Sequence, residues 1–388
     1  MKSAHLKHRA DKHLVLAVAH LRSQGLIQEA IAERLEISQA EVSILLKQAE
    51  HDQILALAPP LNPEKINQAD MQAMEERFFA HRETQEKLRA CSTVPVHLNV
   101  HVITGNYEQF TRAAAGRVME LLHRSQRIGV MWGRTIANLM EGITHNRTIR
   151  PGARFSGVEC IPLCGEPVHL MNQWEMGYSA SHLAAQLESV VTGQRRPDLP
   201  CLAGVPAYVS PRILKTRPFQ EFLHSIPGYN QIFDPLTKGA VPLIDLVDTV
   251  ISGVGIIVNR PDAKEHETAA FIRERIAQEP ISKEEMQKLI LGDVGGLLFA
   301  KPHLDAAARR KVDELNQGWI GMTFKHLQRI AKAASARHAP GVIFVAFGRE
   351  KAEMMVEIVR RGYANQLVID FTLLEGLKQI LAKHPLKK

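Results

Sequence analysis

The residues of this chain best suited to chemistry are cations and glycines placed where strands give way to helices. Residues 127–142, RIGVMWGRTIANLMEG, open on a short apolar run from Ile128 to Met131 and break at Gly133. They resume with Ile136, Leu139, Met140 and then Ile143 at helical spacing. That order is strand, tight loop, helix. Such a junction aims backbone N–H groups and the positive end of a helix dipole at one spot, and Arg134 and Thr135 stand beside it to hold an anion. A phosphorylated small molecule suits the arrangement. Many βα loops carry a glycine for the turn alone, so the stretch in isolation speaks for a turn before it speaks for a ligand.

Its weight comes from repetition. Glycines also follow apolar runs at Gly165, Gly255 and Gly348, and polar or cationic residues accompany them at Ser179, Arg260, Asp293 and Lys351. Arg and Lys neutralise phosphate, Asp accepts from a hydroxyl, and the loops supply N–H donors. Taken singly, each is also an ordinary surface charge, Arg260 most of all, and the run GDVGG around Asp293 suffices for a turn. Lys351 is harder to dismiss, because a cation at the start of a helix opposes the dipole and calls for an anionic partner. No HExxH, Walker A, complete GxGxxG or Ser/His/Asp order is present in the sequence. A sugar pocket lined by Asp, Glu and His can nevertheless move protons, so an isomerase needs no such motif.

The elements that must position these groups alternate in type. Strands are expected at 97–103, 128–131, 156–162, 246–257, 341–346 and 366–369, with helices at 110–123, 136–143, 179–192, 352–361 and 373–383. Repeated β-then-α units predict an α/β domain with a doubly wound, mostly parallel sheet, whose ligands sit beyond the carboxyl ends of the strands. The four glycine loops then converge on one pocket.

Ahead of that domain lie three short amphipathic helices. Residues 12–23 carry Leu14, Val15, Val18, Ala19 and Leu21; residues 27–35 carry Ile27, Ala30, Ile31 and Leu35; residues 39–50 carry Val42, Leu45, Leu46 and Ala49. Ser38 followed by Glu41 is a capping box that starts the third helix. The brief turn between the second and third makes a helix-turn-helix, with the third entering the major groove. Gln39, Ala40 and Ser43 face the groove, since Val42, Leu45 and Leu46 are needed for the core; Gln pairs with adenine and Ala touches a thymine methyl. Ser38, Glu41 and Lys47 complete the candidate DNA-binding set. A generic three-helix packing unit is the plain alternative, and AIAERLEIS, with small Ala32 where two helices must approach, argues against it. The third helix has only Lys47 as a cation, so phosphate contacts fall to Arg22 or to the basic arm with Lys2, Lys7, Arg9 and Lys12.

These elements divide the chain into a DNA-binding domain at 1–58, a linker and connecting helix at 59–93, and an α/β ligand-binding domain at 94–388. Residues 53–58 read as a strand, a wing to the helices; Pro59, Pro60 and Pro63 mark the boundary, and a charged helical run follows at 70–89. A length of 388 residues leaves room for two or three domains, and 45% hydrophobic with 23% charged residues is ordinary for a globular protein. No apolar run approaches the ~20 residues of a membrane span, and the N-terminus has no apolar signal core, so a cytoplasmic protein is expected. A net charge of +7 suits a polyanionic partner. The four cysteines form no CxxC pair and read as reduced and structural, and His97 with His101 lacks a third ligand, so neither metal nor cofactor is expected.

With these stretches in place the chain resembles the sorbitol-operon-regulator (SorC) family of sugar-binding transcriptional regulators. The resemblance rests on IAERLEISQAEVSILLKQAE, VMWGRTIANLMEGI, DLVDTVISGVG, LGDVGGLLF and GVIFVAFGREKAEMMVEIVRRGYANQLVID, which recur in the family's order and span most of the chain. It implies an N-terminal DNA-binding domain and an effector domain of the glucosamine-phosphate-deaminase and ribose-phosphate-isomerase type, without catalysis. It also implies homodimers or homotetramers on operator DNA, with a sugar or phosphosugar as inducer. Carried over by position, Gly133, Arg134, Thr135, Gly165, Ser179, Asp293 and Lys351 line the inducer pocket. Two departures stand out: Ile44 where members often carry Arg, and Phe371 where they often carry an acid. The expected function is a regulator whose operator binding is controlled by that effector; the alternative is a sugar-phosphate isomerase or deaminase with an ancillary helical domain. Residues 215–243 have no functional reading.

Overall fold

Three helices come first, and local chemistry sets their ends. In the computed structural model, which describes residues 11–55, 82–103, 105–145, 155, 157–168, 177–193, 196, 198–257, 269–337 and 339–383, helix α1 spans Lys12–Ser23. Asp11 caps it, accepting from the backbone N–H of His13 and Leu14 at 3.1 and 3.2 Å. Helix α2 (Gln28–Leu35) stops where Glu36 adopts a left-handed conformation with φ +54°. Helix α3 (Gln39–His51) starts with the expected capping box between Ser38 and Glu41. Ile31, Val42, Leu45, Leu46 and Ala49 are buried between the three, each larger side chain contributing about 1.5–3 kcal/mol of transfer free energy. Ile27 lies just outside α2 and is exposed, so it does not join that face.

Of the strand expected at 53–58, Leu55 takes part in a β-bridge and no regular strand forms among the described residues. The chain turns at Asp52 and Gln53, the latter at φ +56°, and residues 56–58 lie outside the described residues. The prolines at 59, 60 and 63 also lie outside them, as does most of the connecting helix, of which α4 (Arg82–Cys91) is described.

The larger domain then alternates as expected. Strand β1 (Asn99–Ile103), α5 (Tyr107–Leu122), β2 (Arg127–Val130), α6 (Arg134–His145), β3 (Glu159–Pro162) and α7 (Ala180–Thr192) follow in order. Four short helices come next, α8 (Pro211–Leu214), α9 (Arg217–His224), α10 (Pro227–Ile232) and α11 (Leu243–Leu246), and lead to β4 (Thr249–Ser252). Helices α12 (Ala270–Gln278) and α13 (Lys283–Leu289) precede a hairpin of β5 (Ile290–Val294) and β6 (Leu297–Ala300). The chain finishes with α14 (Ala306–Gln317), α15 (Phe324–Arg337), β7 (Val342–Ala346), α16 (Ala352–Arg360), β8 (Gln366–Asp370) and α17 (Phe371–Lys383).

Six strands form one parallel sheet in the order β1-β8-β7-β4-β2-β3. Its central strands β4, β7 and β8 are buried at every residue, because helices cover both faces. Side-chain alternation divides the core accordingly. Val342, Phe344, Ala346, Leu367 and Ile369 pack with α4, α15, α16 and α17; Ile343, Val345 and Val368 pack with α5, α6 and α7. The strand expected at 246–257 is only four residues long: Leu246 ends α11, and regular pairing stops at Ser252 ahead of Gly253. GDVGG is a strand and its hairpin turn. Gly295 and Gly296 both take positive φ, +50° and +96°, as a two-residue hairpin turn between right-twisted strands requires.

Candidate functional site

Strand order fixes where a ligand crevice opens. From β2 the chain passes to β3 on one side, whereas β4 lies on the other, so the loops after β2 and β4 diverge and leave a cleft between them. Gly133 follows β2 with φ +148°; a Cβ there would meet nothing within 4 Å, so its backbone conformation, and no lack of room, calls for glycine. Across the cleft, Thr135 lies 3.8 Å from where a Cβ on Gly253 would stand. The two loops face each other.

The hairpin is brought over this cleft by one bridge. Gly255 and Asp293 exchange backbone hydrogen bonds of 2.9 Å in both directions. A Cβ on Gly255 would stand 1.9 Å from Asp293 Oδ1, so glycine is required for the approach. Asp293 is 3% exposed, and its Oδ2 accepts from Gly296 N at 2.8 Å. Its Oδ1 has no hydrogen-bond partner among the described residues. Burial pushes its pKa up to about 6, against the opposing pull of the Gly296 N–H and the Arg275 guanidinium. Arg275, fully buried, clamps the hairpin by donating to the carbonyls of Gly296 at 2.6 Å and Phe271 at 2.9 Å.

Lys351 ends a 3₁₀ turn, Arg349–Lys351, that leads into α16. Its ammonium has no ion-pair partner among the described residues, and burial lowers its pKa. Glu350 and Asp370 pull in the opposite direction, and the charge of nearby Arg134 adds to the lowering. Asp370 is itself committed: its carboxylate accepts from Gly348 N at 2.8 Å, Thr372 N at 3.0 Å and the Thr372 hydroxyl, and so holds the loop that carries Lys351. The hairpin reaches the helix after this loop, since a Cβ on Gly292 would stand 3.2 Å from the sulfur of Met354 in α16. Trp132 forms a wall. Its ring lies 5.9 Å from Tyr178 and 5.1 Å from Phe271, and its indole N–H is buried without a partner among the described residues.

Arg134 and Lys351 therefore feel each other's charge, Thr135 faces the loop after β4, and Asp293 is bridged to that same loop at Gly255. Gly165 and Ser179 stand differently. Gly165 donates to the Ile320 carbonyl at 3.2 Å and packs so tightly on the Val205 and Pro206 carbonyls that a Cβ would stand 2.5 Å from the nearer. Ser179 caps α7 and donates to Glu166. Both shape the wall with their polar groups already engaged. Arg260 lies outside the described residues. Trp132 and Asp370 are additions; an acid closing the last strand was visible in the sequence, but its loop partner is 22 residues away. Two neighbouring cations, a carboxyl of raised pKa and an unpaired indole donor suit a ligand that is both anionic and hydroxylated.

On the helix-turn-helix, Ser38 and Glu41 close on each other: Glu41 Oε2 accepts from Ser38 N at 2.8 Å and from Ser38 Oγ at 2.9 Å. They fix the start of α3, leaving Gln39, Ala40, Ser43 and Lys47 on its outward side. Ile44 joins them, 47% exposed, an apolar group able to meet a thymine methyl. Arg22 donates to the Leu26 carbonyl at 3.1 Å; of the basic arm, Lys2, Lys7 and Arg9 lie outside the described residues.

The two units touch. The Arg34 guanidinium sits over the Phe371 ring at 5.3 Å, and burial lowers its pKa to about 10. Burial and the charge of Arg117 in α5 bring His20 of α1 down to about 4. Phe371 directly follows Asp370, so α2 rests on the strand end that holds the Gly348 loop.

No family model matches the chain, and no curated protein does. Solved structures do. The full-length sorbitol operon regulator SorC from Klebsiella pneumoniae aligns at a TM-score of 0.50 and 18% identity, over 93% of this chain and 97% of that one. A transcriptional regulator from Streptococcus pneumoniae TIGR4 aligns at a TM-score of 0.50 and 16% identity, over 78% of this chain and 97% of its own. At these identities the likeness is one of fold. The α/β architecture expected from the sequence is the one these regulators have, and no helix among the described residues is long and apolar enough to cross a membrane.

Proposed function

We propose that this chain is a DNA-binding transcriptional regulator whose operator binding is controlled by a sugar or phosphosugar bound at the strand ends. One juxtaposition carries the reading: an outward recognition face of Gln39, Ala40, Ser43, Ile44 and Lys47 shares a chain with a cleft where Arg134 and Lys351 await an anion. The fold shared with the two regulators supports it. A phosphate at Lys351 and the N-terminus of α6 would be held by two cations and free backbone donors, while Asp293 Oδ1 would take a sugar hydroxyl. Binding there bears on the Gly348 loop, hence on Asp370 and on Phe371, the residue against which Arg34 of α2 stacks. The effector acts by its difference in affinity for two placements of the recognition helices. The active form is a homodimer or homotetramer presenting paired helices to half-sites about 34 Å apart.

The test is anisotropy of the full chain on DNA from upstream of its own gene, across a salt series, with and without a phosphosugar panel. A specific complex that one sugar alters is expected. Lys351→Met should weaken that sugar by ~10-fold or more and leave ligand-free DNA binding unchanged. Weak binding to every sequence that vanishes at moderate salt would overturn the reading.

One observation favours a second reading. A carboxyl of pKa about 6 with an unpaired oxygen is poised to move a proton, as in a sugar-phosphate isomerase. Turnover of a phosphosugar would support it; tight binding without turnover removes it.

A further inference from the structure

The segment 215–243, without a role in the sequence, forms one wall of a separate cavity of about 320 Å3. Helices α9, α10 and α11 supply Gln220, Tyr229 and Asp245, and the chain from α14 into α15 supplies Trp319 and His326. No Lys or Arg lines it. Arg329 on α15 donates to the Ile244 carbonyl at 2.8 Å.

We propose that this cavity is a second small-molecule site, for an uncharged, hydroxylated ligand the size of a single sugar or its alditol. Size comes first: the volume lies at the lower end of the ~300–1,000 Å3 of ligand pockets. Charge comes second. The lining carries one carboxylate, Asp245, and a histidine whose pKa is lowered by burial and by the charge of Arg329, so the lining itself offers no positive charge to a phosphate. Geometry comes third. His326 Nδ1 accepts from Thr323 N at 3.0 Å, which leaves the ring proton on Nε2. That Nε2 lies 3.7 Å from Asp245 Oδ1, too far for a hydrogen bond. A ligand hydroxyl set beside the pair, within reach of both atoms, accepts from the imidazole and donates to the carboxylate. Gln220 spends its amide N–H on the Leu214 carbonyl at 2.6 Å, and its amide oxygen remains to accept from a second hydroxyl. Tyr229 and Trp319 offer aromatic walls for the apolar face of a sugar ring.

The cavity is distinct from the strand-end cleft but not remote from it. Trp319 lies 4.9 Å from Phe271, which lies 5.1 Å from Trp132 at the cleft wall. One site is cationic and the other is not, so the two select different ligands.

Calorimetric titration of the full-length chain separates them. D-Ribose, D-glucose and ribitol are the uncharged probes, and inorganic phosphate is the competitor. At least one uncharged probe should bind at millimolar concentration or better, undisturbed by phosphate. Gln220→Phe, which fills the cavity, should abolish that binding, and Asp245→Asn, which keeps the shape, should weaken it by ~10-fold. Lys351→Met should leave it unchanged, whatever becomes of the regulator reading. Failure of all three probes to bind, insensitivity to both cavity variants, or loss of binding in Lys351→Met would each overturn the proposal.

Discussion

The helix-turn-helix and the strand-end cleft are built by opposite routes. In the first, the groups that set the geometry are neighbours in sequence: Asp11 bonds His13 and Leu14, and Ser38 bonds Glu41. In the second, Gly133, Gly255, Asp293 and Lys351 come from four separate segments, and long-range bridges unite them. The difference extends to what is left unsatisfied. Ser38 and Glu41 answer each other, whereas the cleft holds Asp293 Oδ1 and Trp132 Nε1 buried without partners among the described residues. Each such atom costs about 1–3 kcal/mol, a cost that a ligand with matching groups would remove. Buried polar atoms without partners among the described residues also occur at Asn230 Oδ1 and Arg329 Nε, so the contrast between the two regions lies in how their groups are assembled.

If the two units are as independent as their construction, damage to one should spare the other. Leu45→Asp places an unpaired carboxylate in the buried centre of the three helices and should unfold them. Operator binding should fall by more than ~100-fold, while calorimetry still finds the effector bound by the sheet domain; loss of both would mean that the units fold as one.

A smaller effect probes the strain in the cleft. The Asp293 carboxyl titrates near 6 in the folded protein, above its ordinary ~3.9, so the folded state binds that proton more tightly than the unfolded chain. Its contribution favours folding below pH ~4 and is lost as pH rises to about 6, for a total of roughly 2–3 kcal/mol. Asp293→Asn keeps an acceptor for Gly296 and should abolish this slope. The check is the difference between wild-type and variant denaturation midpoints from pH 4 to 7, which also subtracts His20, whose lowered pKa works in the opposite sense. A flat difference would place the carboxyl in contact with water.

The smallest effect belongs to the local unit. Ser38→Ala removes one side of the capping box and should cost about 1 kcal/mol of helix stability. In a thermal melt this lowers the midpoint of the N-terminal transition, and operator affinity falls a few-fold as α3 frays. No change in effector affinity is expected.

Legibility followed the same division. The capping box, the apolar stripes of α1 to α3 and the alternation of strands and helices were all visible, because each depends on residues within a few positions of one another. The wing at 53–58 was misread at its start, since Gln53 takes a left-handed conformation that an apolar pattern does not reveal. The strand at 246–257 was read too long because a continuous apolar run does not show where pairing ends. The glycine loops after strands did not separate Gly133, where a Cβ would meet nothing, from Gly165, which is packed against the Val205 and Pro206 carbonyls.

By itself, then, the sequence determined the two kinds of architecture in this chain, the ends of its third helix and the alternation of strand and helix that builds its sheet. Those follow from periodicity, caps and dipoles, which act over one or two turns. Tertiary structure alone decided that Asp293 is stripped of solvent while keeping a free oxygen, that Lys351 shares its surroundings with Arg134, and that Arg34 rests on Phe371. It also decided that residues 215–243 form one wall of a cavity. Desolvation and charge proximity depend on which distant segments meet, and that meeting is set by strand order, which no local pattern contains.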